Sequence, residues 1–99
     1  MFEIQAEFCK AMGNVIRLQL LHVLREHPLT VTEICEEISL PQSTVSRHLT
    51  VLHGVGCVVS RRHGGTKVFE ITDNKIVEVC DLVRSILVEQ IHKRSQSIE

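Results

Sequence analysis

Two short apolar stripes joined by a three-residue turn constrain this chain more than anything else in it. Thr30-Val31-Thr32-Glu33 fits a capping box, with Thr30 as the cap and Glu33 three residues on. The helix it opens is short. Val31, Ile34, Cys35 and Ile38 make its buried stripe, while Glu33, Glu36 and Glu37 stay in water. Ser39-Leu40-Pro41 turns the chain, and Pro41 suits the first position of the next helix, where its missing N–H costs little. In that second helix Val45, Leu49 and Leu52 share one face. Ser43, Ser46, Arg47 and Thr50 share the other at i, i+3, i+4 and i+7, flanked by Thr44 and His48. Two helices joined this tightly, the second with a polar outer face, match a helix-turn-helix over about 31–54.

The polar face of the second helix holds short hydroxyls, one guanidinium and one imidazole, and no carboxylate. Such a face can enter a DNA major groove, where arginine pairs with guanine and small side chains approach bases and phosphates. Alone, it reads equally well as an ordinary solvated helix face. The sequence that follows favours the groove. Gly54 and Gly56 stop the helix. Two β-like runs come next, residues 57–62 and 67–71, joined by His63-Gly64-Gly65-Thr66 as a hairpin turn. This predicts a wing over about 57–71 with Arg61, Arg62, His63 and Lys67 near its tip. The net charge of −1 hides how charge is distributed, because no Asp or Glu lies between Ile38 and Phe69. A locally positive surface inside a neutral total is the footprint of a nucleic-acid partner. The predicted DNA contacts are Gln42, Ser43, Thr44, Ser46, Arg47 and His48 from the helix, with Arg61, Arg62, His63 and Lys67 from the wing. The chain has three Phe and no Trp or Tyr, so stacking on single strands has little support.

The flanking segments read as helices. Residues 2–12 form one, ended by Gly13, and Asn14 caps the next. That second helix runs to about Glu26 and is apolar on most sides, which places it in the middle of a core with His22 as a satisfied core residue. His27-Pro28 ends it. The last helix starts near Asp73, runs to about Lys93 and leaves residues 94–99 frayed. It carries more apolar positions, from Ile76 to Ile91, than one stripe in a 99-residue chain needs. A second copy is the simplest partner, so helices 2–12 and 73–93 are expected to dimerise. The fold class is then mostly α with a small β-hairpin: one winged helix-turn-helix domain over 1–99, ordered helix–helix–helix–helix–strand–strand–helix. No apolar run is long enough to span a bilayer and no signal-peptide pattern opens the chain, which points to the cytoplasm and to no membrane partner. The cysteines at 9, 35, 57 and 80 form no CxxC pair, and cytoplasmic cysteines rest as thiols. Each reads either as a small buried hydrophobe or as part of a sensor. Cys9 and Cys80, on the two dimerisation helices, offer a thiolate site for a soft ion or a redox pair. No other cofactor is expected.

This order of elements resembles the ArsR/SmtB family of dimeric winged-helix repressors. The resemblance is carried by residues 10–14 with Arg17-Leu18, by residues 40–49, and by the wing ending in Val68-Phe69. It implies binding to a palindromic operator, repression of transcription and release by an inducer. Where many members hold metal through a Cys-x-Cys, this chain has Thr30 and Thr32. Where others use four ligands on the last helix, it has Asp73, Lys75, Ile86 and Glu89. Neither set suits a metal, so no metal ligands are expected. A thiol-sensing subgroup would match at Cys35, but its second cysteine is replaced by Val88. The candidate sensor residues are therefore Cys9, Cys35 and Cys80. Two alternatives stay open: a constitutive repressor with no inducer site, and a winged helix that binds protein rather than DNA. No nucleophile–base pair, paired carboxylates or phosphate loop stands in a context that supports catalysis.

Overall fold

The computed structural model describes residues 1–97. Its elements are α1 (Phe2–Met12), α2 (Val15–Val23), α3 (Val31–Ile38), α4 (Gln42–Gly54), β1 (Val58–His63), β2 (Thr66–Ile71) and α5 (Asn74–Ser97). The core is built from Leu20, Leu21 and Leu24 at α2, Ile34 of α3, and Val45, Leu49 and Leu52 of α4. Cys57, Val58 and Phe69 close it from the hairpin, and Ile76 from α5. The predicted apolar stripes of α3 and α4 therefore face inward.

Local chemistry sets the boundaries. The Thr30 hydroxyl accepts from the Glu33 N–H at 3.1 Å, and the Glu33 carboxylate accepts from the Thr30 N–H at 2.8 Å. That is the reciprocal capping box, and it holds the Glu33 carboxyl below its usual range. Ser39 then takes the left-handed conformation with φ 54°, which reverses the chain between α3 and α4. Pro41 is the N-cap of α4 rather than its first helical residue. At the hairpin tip Gly64 and Gly65 both have positive φ, 60° and 82°, as a two-residue turn between right-twisted strands requires. His63 pairs with Thr66, and the register runs back to Val58 opposite Ile71.

Several expectations are corrected. α2 stops at Val23, not Glu26. Leu24 N–H still reaches Leu20, but Arg25 N–H goes to His22, so the helix tightens and ends, and the chain leaves to bring Leu29 beside β2. Leu29 and Phe69 exchange both backbone hydrogen bonds, at 3.0 and 2.8 Å, a short bridge that no periodicity announced. Nor is α2 covered on every side, since Val15 is 73% exposed. His22 is exposed instead of lying in the core, with Nδ1 3.4 Å from the Arg25 guanidinium. Arg25 also clamps α5 through both Asp81 oxygens, at 3.2 and 2.7 Å.

α5 opens with Asp73 accepting from Lys75 N–H at 2.8 Å. It continues past Lys93 to Ser97, so residues 94–97 are helical rather than frayed, and 98–99 lie outside the described residues. Ile76 is the one buried side chain along it among the described residues, and from Asp81 to Gln96 every residue is exposed. Val79, Leu82, Val83, Ile86, Leu87 and Ile91 make one broad stripe at helical spacing, and Val88 falls on the opposite side. The radius of gyration is 15.6 Å, against about 13 Å for a compact domain of this length. The projecting α5 accounts for the excess. Among the described residues no helix is long and apolar enough to cross a membrane.

Candidate nucleic-acid interface

α4 lies on the core through Val45, Leu49 and Leu52, which turns Gln42, Ser43, Arg47 and Thr50 outward. Thr44 and Ser46 are half-buried at the edges of that face. The Thr50 hydroxyl donates to the Ser46 carbonyl at 2.9 Å, so it is occupied within the helix. Arg47 is exposed and makes no hydrogen bond or ion pair among the described residues, which leaves its guanidinium free for an external partner.

His48 departs from the expected surface position. Its ring is half-buried, and Nδ1 lies 3.1 Å from Nη1 of Arg17. Burial, with the Arg17 and Arg47 charges behind it, holds the imidazole below its ordinary value. In the sequence Arg17 stands out only as part of a motif, not as a site residue. A cation in the first turn of a helix, where the dipole disfavours it, was the available signal.

The hairpin divides its cations between two faces. Arg61 Nη2 donates to the Glu70 carboxylate at 3.0 Å, so Arg61 is already neutralised on its own face. Arg62 and Lys67 stand directly opposite each other in register on the other face. Arg62 donates to the Gly65 carbonyl at 3.2 Å, and Lys67 Nζ lies 5.2 Å from the Phe69 ring centre. Neither has a carboxylate partner among the described residues. Like charges opposite one another repel, and a bound anion relieves that repulsion. His63 is exposed beside the turn. The structure thus gathers Gln42, Ser43 and Arg47 on one helix face and Arg62 and Lys67 on one wing face, while Arg61 is paired with the Glu70 carboxylate and His48 with the Arg17 guanidinium.

The cysteines separate in the same way. Cys57 is fully buried at the foot of β1, and burial, with Cys80 nearby, pushes its thiol up to about 11. Cys80 is half-buried, and burial followed by the Asp81 charge raises its thiol too. Cys80 and Cys9 line one groove between α1, α2 and α5 with Met12, Leu21 and Leu87. Cys35 packs against the core from α3 and does not line that groove. No three His, Cys, Asp or Glu side chains among the described residues cluster as a metal site.

Comparison with known proteins places the chain among winged helix-turn-helix regulators. The family model for bacterial regulatory protein, arsR family, matches residues 14–60. An uncharacterized HTH-type transcriptional regulator of Methanocaldococcus jannaschii is 36% identical over 83 residues, covering 83% of this chain and 93% of that protein. The transcriptional repressor PagR of Bacillus anthracis is 38% identical over 77 residues, covering 77% of this chain and 76% of that protein. Among solved structures, a homodimeric winged helix-turn-helix DNA-binding domain from Mycobacterium bovis superposes with a TM-score of 0.84 at 26% identity, covering 93% of this chain and 85% of that one.

Proposed function

Since the chain belongs to the ArsR family of winged helix-turn-helix DNA-binding regulators, we propose that two copies of it bind a palindromic duplex operator and repress transcription there. The family is one of transcriptional regulators, not of enzymes. The observation that carries the proposal is a set of exposed cations with no carboxylate partner among the described residues: Arg47 on α4, and Arg62 and Lys67 on the wing. Arg47 reads guanine from the major groove, and Gln42, Ser43, Thr44 and Ser46 fit around base edges and phosphates. The start of α4 has no side-chain cap, so its first N–H groups are available to a phosphate oxygen. Arg62, Lys67 and His63 grip backbone phosphates or the minor groove, and Arg61 joins them only by releasing Glu70. Two copies meet through α5 and α1, which leave Leu82, Ile86, Ile91, Phe2 and Ile4 exposed in the single chain.

Arg47→Ala should cost about 1–3 kcal/mol of operator binding and relax sequence preference. Arg62→Ala should weaken all duplexes evenly and lower the slope of log affinity against log salt by about 1. Arg61→Ala should change that slope less, because its charge is already matched by Glu70. Mobility shifts over a salt series check all three, and wild-type binding by both Arg47→Ala and Arg62→Ala would remove this docking.

A second reading adds a thiol-dependent step at the groove shared by Cys9 and Cys80, with Cys35 as the remaining candidate sensor. In native protein a thiol oxidant should spare Cys57, which is buried and protonated at neutral pH. Mass spectrometry then reports which sulfurs have reacted. If Cys9, Cys35 and Cys80 are all modified and operator affinity is unchanged, the thiol step is absent and the repressor is constitutive.

A further inference from the structure

We propose that Arg17 is a positioning residue for DNA recognition, holding the His48 ring of α4 with Nδ1 bare and the proton on Nε2, and tying that ring to the C-terminal end of α1. The proposal rests on the duplex-binding reading above.

Arg17 sits in the first turn of α2, its own N–H capped by the Asn14 side chain at 3.1 Å. Its side chain runs back toward α1. Nε donates to the Ala11 carbonyl and Nη2 to the Lys10 carbonyl, the latter at 3.5 Å. These oxygens lie at the negative end of the α1 dipole, where a guanidinium is favoured. The remaining nitrogen, Nη1, is the one 3.1 Å from His48 Nδ1. One planar group thus bridges the last turn of α1 and the α4 helix that carries the reading face.

The chemistry of the pair decides the tautomer. A guanidinium has five N–H donors, no acceptor, and keeps its proton. The imidazole nitrogen facing it must therefore accept, and an accepting ring nitrogen carries no hydrogen. The neutral ring then holds its proton on Nε2. The charges acting on the ring support this state. Arg17 from α2 and Arg47 from α4 itself are both positive, and α1 contributes carbonyl oxygens to the guanidinium rather than a charge to the ring. A doubly protonated ring would set an N–H against a guanidinium and lose the contact.

The consequence is a directional donor at the edge of the reading face. His48 follows Arg47 directly and lies one turn beyond Thr44. With its proton held on Nε2, the ring can donate to guanine N7 or O6, to thymine O4 or to a phosphate. It cannot accept from adenine N6 or cytosine N4. Arg17 is thereby a determinant of specificity that need not touch DNA. Because it is anchored on α1, movement of that helix relative to α4 reaches the ring through it.

Nitrogen-15 NMR of the His48 ring in the intact free protein tests the tautomer directly and needs no variant to fold. The expected result is Nε2–H, with a titration below that of an ordinary imidazole that moves up in Arg17→Met. A duplex recovered from a random pool by the wild-type protein then serves as the DNA probe, beside a scrambled control. Arg17→Lys should lower the affinity ratio between the two about tenfold, with the scrambled duplex bound as before. In a His48→Ala background the same substitution should lower the ratio no further. An Nδ1–H ring, or an equal loss of ratio with and without His48, overturns the Arg17 role. If the pool yields no duplex, the duplex reading fails and takes the recognition role with it. A wrong tautomer alongside a recovered duplex overturns the Arg17 proposal alone.

Discussion

Leu82→Glu combined with Ile86→Glu should separate the proposed dimer into folded monomers and weaken operator binding by about 10²- to 10⁴-fold. Both side chains lie on the apolar stripe of α5, 63% and 48% exposed in the single chain. They carry none of the core, so the monomer keeps its helices. In the dimer each apolar side chain taken out of water contributes about 1.5–3 kcal/mol, and a carboxylate there must instead be desolvated. The DNA loss is larger than any one contact could produce. Two reading faces on one rigid dimer make the second half-site encounter intramolecular, and separate monomers lose that effective concentration. Analytical ultracentrifugation with unchanged circular dichroism, followed by mobility shifts, tests the chain of cause. A double variant that stays dimeric would show that α5 does not join the copies, and a folded monomer that binds the operator like wild type would show that pairing of two reading faces does not drive the affinity.

Leu49→Ala is the second large effect, at about 2–5 kcal/mol of folding stability. Leu49 is on the inner face of α4 and is fully enclosed by the core that α2, α3 and the hairpin complete. Truncation loses the transfer energy of the removed carbons and leaves a cavity that rigid neighbours fill only in part. A domain of this length has roughly 5–15 kcal/mol in total, so the loss is a large share of it. Urea denaturation at one fixed protomer concentration checks the value, because the proposed dimerisation would make apparent stability concentration-dependent. Thr50→Ala, one residue on but exposed, should cost under about 0.5 kcal/mol. Equal effects at the two positions would mean that α4 does not seat on this core.

Much of this was written in local chemistry. The capping box at Thr30 and Glu33, the Ser39-Leu40-Pro41 turn, the stripe Val45–Leu49–Leu52 and the Gly64-Gly65 tip each act over a few residues, and each appears as expected. The surplus apolar face of α5 was legible for a related reason. Periodicity counts apolar positions, and along α5 they outnumber what one stripe against the core uses.

What periodicity cannot register is which distant side chain arrives beside which. Glu70 cancels Arg61 because the hairpin register brings β1 and β2 side by side, and that leaves Arg62 and Lys67 as the wing cations without a carboxylate partner among the described residues. Arg17 meets His48 across thirty-one positions only once α2 packs on α4. Leu29 finds Phe69 only once the segment after α2 lies beside β2. Helix period, caps and turns are short-range and fix the elements from residue order alone. Charge pairing and proton placement depend on distances of a few ångströms between elements, and these exist only after the elements have packed.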